Sequence, residues 1–482
     1  MTHIWVTKHH NLVPAAFVNF LPFTVDYNMA SLRDNQLKIE INSLRKDWAA
    51  SGYKTRFVVA LLCEDGPLPD DANERLSSIR RATEMDVKSM FVLRPNPTEA
   101  DISEFVRSLL TSLQGTCVEY YRDLSKHARR KRNRGNIPPP TAPPTTGTSK
   151  TLGFHGWNIR YEFKMGVFAE FRQEMDAACR NFESAYEYLF GEEAFETIAG
   201  WSPRFNDARM LADVLAIRII RCLLWTRQTT PAVRVWHTHK ERTRDIVERR
   251  GKGTTNYGWE AWEARWSLIM AQLMRRADVF TLPSTGVPLN EAFKWIYVSS
   301  EKTAAGERVA PWELLHHEGY WLAQAAQHTV RRRSYAERIP DEDRILPSQS
   351  TAHQLTNRSN IYDTYMCPEP YIESGLPGNP SVNHAEIILE LLRSSRQEFS
   401  KRHQTRVVEQ QSLLMARELV RLKLWEEALN LLRPLWSSLS FRSNSWWNLM
   451  EDFAWTLREC AYHAKDRETV LRVDWELLNR SK

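Results

Sequence analysis

Paired cysteines, long apolar runs, phosphate-cradling glycine loops and a lopsided charge balance are all missing from this 482-residue chain. The six cysteines (Cys63, Cys117, Cys179, Cys222, Cys367 and Cys460) lie far apart and form no C-x-x-C. That spacing argues against a disulfide framework or a zinc ribbon. It fits small buried residues of a protein from a reducing compartment. The amino-terminal MTHIWVTKHH does not read as a signal peptide, and the apolar run Leu12–Phe23 is broken by Asn19 and Pro22. This run falls short of the ~20 residues a membrane-crossing helix needs, so any membrane contact is expected to be peripheral. With 65 basic and 59 acidic residues, the net charge of +6 does not by itself imply a nucleic-acid partner.

What is present is the composition of a soluble folded protein, with 42% apolar and 26% charged residues. The length implies two or more structural units. Eighteen tryptophans are many, and in a helical stack such side chains fill the wide gaps between helix pairs.

The first third alternates strand and helix. Ala15–Pro22, Arg56–Cys63 and Lys88–Leu93 read as buried strands. Ala30–Ala50 carries Leu32, Leu37, Ile41, Leu44 and Trp48 at helical spacing, and Asp70–Glu84 opens on a good helix start. Thr98 is placed to cap a long helix reaching about Arg134. The order predicts a small parallel sheet with helices on its faces, a Rossmann-like α/β domain over residues 1–134. Residues 135–153, GNIPPPTAPPTTGTSKTLG, read as a linker.

Beyond the linker the pattern is almost entirely helical, over 154–482, with an irregular six-proline insert at 334–383. Arg160–Phe190 reads as two amphipathic helices broken near Gln173–Asp176. Gly166, Ala178, Phe182 and Ala185 fall where two paired helices must touch, the spacing of a tetratricopeptide-type hairpin. Ala416 and Ala428, with Leu432, repeat it. Phe205–Thr226, Val233–Arg249, Gly258–Arg276, Pro311–Arg333, His384–Leu424 and Trp447–Leu478 supply further helices. A hairpin of this kind buries its apolar face by stacking on neighbours, so the expected class is mainly α: an α-solenoid behind a small α/β domain. The chain stops without the polar cap that closes a solenoid, and it is expected to be a partial product. Solenoids mostly bind other proteins.

Residues that carry chemistry are few. Phe23-Thr24-Val25-Asp26 and Glu64-Asp65-Gly66-Pro67 follow the first two strands, and neither is a phosphate cradle. No cofactor is therefore expected. His316-His317-Glu318 resembles a metal motif, but adjacent residues on a helix point ~100° apart. They are expected to be solvated, and no catalytic or metal residues are assigned. Trp259, Trp262 and Trp266 share one helical face and read as core. The basic run Lys126–Arg134 is the sharpest charge feature. It reads as a solvated helix end, with Lys126, Arg129, Arg130, Lys131, Arg132 and Arg134 available to an anionic membrane surface or an acidic partner. No aromatic platform interleaves these charges, so nucleic acid is not the expected ligand. Arg331-Arg332-Arg333 invites the same pair of readings.

Taken in order, the segments FKMGVFAEFRQEMDAA and FESAYEYL, DVLAIRIIRCLL, WEAWEARW, HEGYWLAQAAQH, KSMFVLR and the helix Glu119–Lys131 resemble the foie gras domain family of subunit 11 of the trafficking protein particle (TRAPP) tethering complex. The likeness covers most of Pro14–Leu478. The resemblance implies a non-catalytic scaffold in vesicle transport from endoplasmic reticulum to Golgi and in autophagy. It implies other TRAPP subunits as partners, and a Rab-type GTPase met only indirectly, through the exchange activity of the complex. It also implies a cytoplasmic location, peripheral at Golgi and intermediate membranes. Full-length relatives continue into a β-rich region that this chain lacks. Two other readings stay open: a free-standing helical-repeat adaptor, and a nucleotide-binding enzyme built on the α/β domain.

Overall fold

The computed structural model describes residues 3–26, 28–64, 71–134, 137, 153–191, 194–198, 203–250, 253–277, 297–298, 312, 314–339 and 382–480. The expected linker and insert thus lie largely outside the described residues. Two compact units divide the chain, Met1–Ala194 and Phe195–Lys482.

The first unit opens with a short helix, α1 (His3–Thr7), and holds a parallel sheet in the order β1 (Ala16–Phe23), β2 (Arg56–Cys63), β3 (Met90–Leu93). Strand β2 is central, which is why RFVVALLC is apolar without interruption. Its side chains still alternate. Val59 and Leu61 join Leu21, Phe23 and Met90 beneath Leu37 and Ile41 of α2 (Ala30–Ala50) and Leu76 and Ile79 of α3 (Ala72–Thr83). Val58 faces the other way, onto Leu109 and Leu113 of α4 (Glu99–Arg132). Pro22 is tolerated because β1 is an edge strand. Thr98 and Asp101 form a reciprocal capping box at the start of α4.

One expectation for α2 needs correction. Leu32 faces solvent, and Asp34 is buried in its place. The reason is electrostatic: Arg75 of α3 donates to both carboxylate oxygens of Asp34, at 2.9 and 2.8 Å. A buried carboxylate is tolerated when it is paired and hydrogen-bonded in this way.

The carboxyl half of α4 packs along α5 (Phe154–Phe171), whose partner is α6 (Met175–Phe190). This hairpin lies on the carboxyl side of the proline-rich segment and within the first unit.

The second unit is helical, an α-solenoid of stacked neighbours. It comprises α7 (Pro203–Trp225), α8 (Thr229–Arg249), α9 (Tyr257–Ala277), α10 (Glu318–Glu337), α11 (His384–Lys401), α12 (Thr405–Arg421), α13 (Trp425–Trp436), α14 (Ser440–Ser443), α15 (Trp447–His463) and α16 (Arg467–Arg480). A two-residue antiparallel ladder, β4 (Tyr297–Val298) with β5 (Leu315–His316), precedes α10.

One turn recurs in both units. Gln173, Arg227, His403, Lys423, Ser445 and Lys465 take φ between 54 and 62°. The next residue's N–H then bonds to the carbonyl five positions back: Glu174 to Ala169, Gln228 to Leu223, Gln404 to Phe399, Leu424 to Leu419, Trp446 to Phe441 and Asp466 to Ala461. This is the Schellman closure of a helix, and it reverses the chain within a few residues. Because none of the six is glycine, the usual sequence mark of such a stop is absent.

Three further expectations are corrected here. Helix α10 begins at Glu318, not Pro311, because Leu315–His316 is held in the ladder and His317 caps the helix, its Nδ1 accepting the Gly319 N–H at 3.1 Å. His317 and Glu318 are therefore buried, not solvated, and Glu318 pairs with Arg275. The Arg331–Arg333 cluster is likewise no solvated run. Arg332 lies buried over the Tyr257 ring, and Arg333 makes a buried two-pronged contact with Glu418 of α12.

Burial, with Arg402 beside it, holds His317 down to about 3. Burial among Arg332, Arg333 and Arg421 holds His384 down to about 4. Both rings are neutral in the fold and gain a proton near pH 6.5 once unfolded. The unfolded chain thus binds more protons below that pH, so this stabilisation is complete above pH 6.5 and is lost as the pH falls toward 4. Between pH 6.5 and about 5, where most carboxylates stay ionised, the two rings together set a slope of up to ~2.7 kcal/mol per pH unit. Urea unfolding across this window should show stability falling with acid, with a shallower slope in His317→Asn and His384→Gln. An unchanged slope in both variants would contradict the assignment.

Candidate functional site

The hairpin α5–α6 is built on one close approach. A Cβ added at Gly166 would lie 2.5 Å from Cε1 of Phe182, closer than carbon atoms can come. The Phe182 ring therefore lies against the backbone of α5, and Phe163 meets it edge-on at 5.7 Å. Ala178 and Ala185 are as fully buried as Phe182 itself. The α12–α13 hairpin places Ala416, Ala428 and Leu432 in the same state, without any exposure. The structure brings Gly166 together with Phe182, and Ala416 and Ala428 into one core.

Helix α5 is buried over most of its circumference because three elements surround it. Trp157, Tyr161, Met165 and Phe168 pack on Tyr121, Leu124 and Ala128 of α4, and Trp5 of α1 meets Phe168. Buried charges accompany that packing. Lys164 lies over the rings of Trp5 and Tyr161. Burial, with Arg160, Lys131 and Lys8 nearby, lowers its pKa to about 8. Burial pushes the Glu162 carboxyl up, and Arg132 partly opposes this across a 2.6 Å ion pair.

Helical periodicity sorts the basic run. Ser125 and Ala128 face inward. The Lys131 carbonyl accepts the Trp157 indole N–H at 3.1 Å, and Arg132 is held by Glu162. Lys126 is exposed and pairs with Asp123, while Arg129, Arg130 and Arg134 are exposed. Lys126 and Arg130 also line an open cleft of about 980 Å³ with Tyr53, Lys54, Arg56 and Glu119. Its walls carry both signs of charge, and ion pairs Arg45–Glu84 and Arg56–Asp86 lie within them.

This cleft sits at the amino ends of the strands, where Ala15 and Arg56 line it. Ligands of open α/β sheets bind at the opposite, carboxyl ends. There the space beside β1 is filled from within: Arg75 lies 4.5 Å over the Phe23 ring and donates to the Thr24 carbonyl at 3.1 Å while paired to Asp34. Among the described residues no group of three or more His, Cys, Asp or Glu side chains is arranged to hold a metal. Nor is any described helix long and apolar enough to cross a membrane. Cys179, Cys222 and Cys460 are buried and Cys63 and Cys117 half-buried; Cys367 lies outside the described residues.

A polar centre that the sequence did not disclose lies in the second unit. The Asp213 carboxylate of α7 meets His239 Nε2 at 2.8 Å and accepts the indole N–H groups of Trp262 at 3.3 Å and Trp266 at 3.0 Å. Trp236 stacks on Trp266 at 4.7 Å. The tryptophan face was legible from its spacing; the aspartate that orders it was not, being 49 residues away.

Comparison with known proteins gives a consistent result. The model for Foie gras liver health family 1 matches residues 204–480, and that for the Trafficking protein particle complex subunit 11 N-terminal domain matches residues 1–102. The chain is 22% identical over 499 residues to Trafficking protein particle complex subunit 11 of Homo sapiens, and 22% identical over 500 residues to the Bos taurus protein of that name. Each alignment covers 99% of this chain and 39% of the relative.

The close approach at Gly166 makes a sharp expectation. Alanine is the better helix former by ~1 kcal/mol, yet Gly166→Ala should destabilise the first unit by ~1–3 kcal/mol because its methyl must displace a fully buried ring. Adding Phe182→Leu should recover part of that loss, a coupling readable in a double-mutant cycle by chemical denaturation. A stabilised Gly166→Ala, or strict additivity, would count against the contact.

Proposed function

Since the chain belongs to Foie gras liver health family 1, we propose that it is a non-catalytic scaffold subunit of a trafficking protein particle (TRAPP) complex. The observation that carries this reading is colinearity. The subunit 11 amino-terminal model falls on the sheet, the foie gras model falls on the solenoid, and the alignment to a relative named for subunit 11 runs over 99% of the chain. The architecture is compatible. Arg75 and Asp34 fill the carboxyl end of β1, and the small residues of the hairpins are spent on helix pairing. What remains for function is outward-facing surface.

In this reading the chain joins other TRAPP subunits and supports nucleotide exchange on a Rab-type GTPase by the complex, without contributing catalytic residues. Its setting is vesicle traffic between endoplasmic reticulum and Golgi, and autophagy, with peripheral attachment at Golgi and intermediate membranes. Arg129, Arg130 and Arg134, the exposed arginines of the α4 end, are the residues available to an anionic membrane surface. Arg132 is engaged by Glu162 and contributes less. The residue boundaries 1–134, 135–153 and 154–482 remain the proposed domain limits.

Two measurements test the proposal. The tagged chain, expressed in cells and recovered under native conditions, should bring other TRAPP subunits with it, in parallel with a full-length relative as control. Recovery by the control alone would refute assembly through this part. Flotation with phosphatidylserine vesicles should fall severalfold for Arg129→Glu/Arg130→Glu/Arg134→Glu at moderate salt; binding unaffected by the three substitutions would remove the membrane role of this run.

A further inference from the structure

Positive charges gather at one place in the first unit without the carboxylates that answer them elsewhere. Arg160 and Lys164 stand i, i+4 on one face of α5. Lys131 of α4 is tied beside that helix by the Trp157 indole bond to its carbonyl, and Lys8 follows α1. The charges that crowd the Lys164 ammonium are Arg160, Lys131 and Lys8, and no carboxylate offsets them. Buried cations elsewhere are paired, Arg75 with Asp34 and Arg333 with Glu418.

The imbalance is written in the sequence. No Asp or Glu precedes Asp26, and none falls between Asp123 and Glu162, a stretch that holds eight Lys and Arg. Both flanking acids are engaged, Asp123 with Lys126 and Glu162 with Arg132. Lys164 is only 9% exposed, and its ammonium meets ring faces, 4.9 Å from Trp5 and 5.3 Å from Tyr161. Ring faces attract a cation but leave its three N–H donors without lone pairs. Among the described residues no ion pair holds Lys164. Arg160 Nε and His9 Nδ1 are buried with no hydrogen-bond partner there either, and burial among Lys8, Lys164 and His10 holds His9 down to about 4. The Lys8 ammonium stands 4.9 Å over the ring of Tyr53, a wall of the open cleft, so the cluster borders solvent on that side.

We propose that Lys8, Lys131, Arg160 and Lys164 bind a polyol carrying two or more phosphates, free in solution or as a lipid headgroup. Charge selects this class. Four cations on three elements exceed what one carboxylate or one phosphate dianion can balance. They call for negative charge spread over a small rigid frame, which a phosphorylated ring polyol supplies. Ammonium groups meet phosphate oxygens as point charges, and the guanidinium adds directed N–H donors. Partial burial limits screening by salt. This inference rests on charge and burial within the first unit. It depends neither on the family reading nor on the exposed Arg129, Arg130 and Arg134.

Calorimetric titration of the purified chain with inositol 1,4,5-trisphosphate tests it, beside flotation with vesicles carrying phosphatidylinositol 4,5-bisphosphate and with phosphatidylserine vesicles of equal total charge. Lys164→Met should weaken binding at least ~10-fold without lowering the thermal transition of the free chain, because it removes a buried charge that has no counter-ion. Lys131→Gln/Arg160→Gln, at half-buried positions, should weaken it similarly. Arg107→Gln, an exposed position ~36 Å back along α4 at ~1.5 Å per residue, should leave it unchanged. Equal affinity for the soluble ion and the vesicle lipid would identify a free ligand, and much tighter vesicle binding a headgroup. Absence of binding to both, phosphatidylserine vesicles bound equally well, or affinity unchanged in both variants would overturn the proposal.

Discussion

Two helices can pair closely only where one of them presents almost nothing. At Gly166 that condition reaches its limit, since the Phe182 ring occupies the space that any Cβ would need. The same economy returns as Ala178 and Ala185 on the facing helix, and as Ala416 and Ala428 in the α12–α13 pair, all without exposure. Each close pair gains dispersion contacts over its length and excludes water between the helices. The αL reversals at Gln173 and Lys423 then hold the partners of each pair at a set separation along the chain. Surface geometry follows from those two devices together.

The buried charges follow from the packing. A helix surrounded by α1, α4 and α6 cannot send every long side chain to water, so Glu162 takes Arg132 as its partner and Lys164 shelters between two aromatic rings. Arg333 with Glu418, and Asp34 with Arg75, solve the same problem elsewhere with two-pronged geometry. Pairs of this kind add little net stability over an apolar replacement, but breaking one leaves an uncompensated buried charge. They specify which helix meets which. Asp213 does this for aromatic partners, because its carboxylate is the shared acceptor of Trp262, Trp266 and His239.

Much of this was legible in advance for physical reasons that can be named. Arg56–Cys63 reads as a central strand because both of its faces are covered, which leaves no polar alternation to blur it. Gly166, Ala178 and Ala416 stand out because close helix contact selects small residues at a fixed period. The long helix from Thr98 was visible through its capping box. What stayed hidden depends on contacts between distant residues. Asp34 reads as a surface residue until Arg75 is placed 2.8 Å away, and His317 reads as a solvated helix residue until the β4–β5 ladder shortens the helix to make it a cap. The basic run was visible as a run; its division into inward Ala128, engaged Arg132 and exposed Arg129 needed α5 in place.

The claim at the centre of this account is that the close helix pairs are the least yielding parts of their units, and that the interaction surfaces are held by them. Native-state hydrogen exchange reads this directly, residue by residue, through the free energy at which each amide opens. The account predicts that buried amides around Gly166 and Phe182 exchange only through global unfolding of the first unit, as slowly as those of the central strand at Val59–Leu61. Those around Ala416 and Ala428 should exchange as slowly as any in the second unit. Local opening of either pair well below the global unfolding free energy of its unit would contradict it.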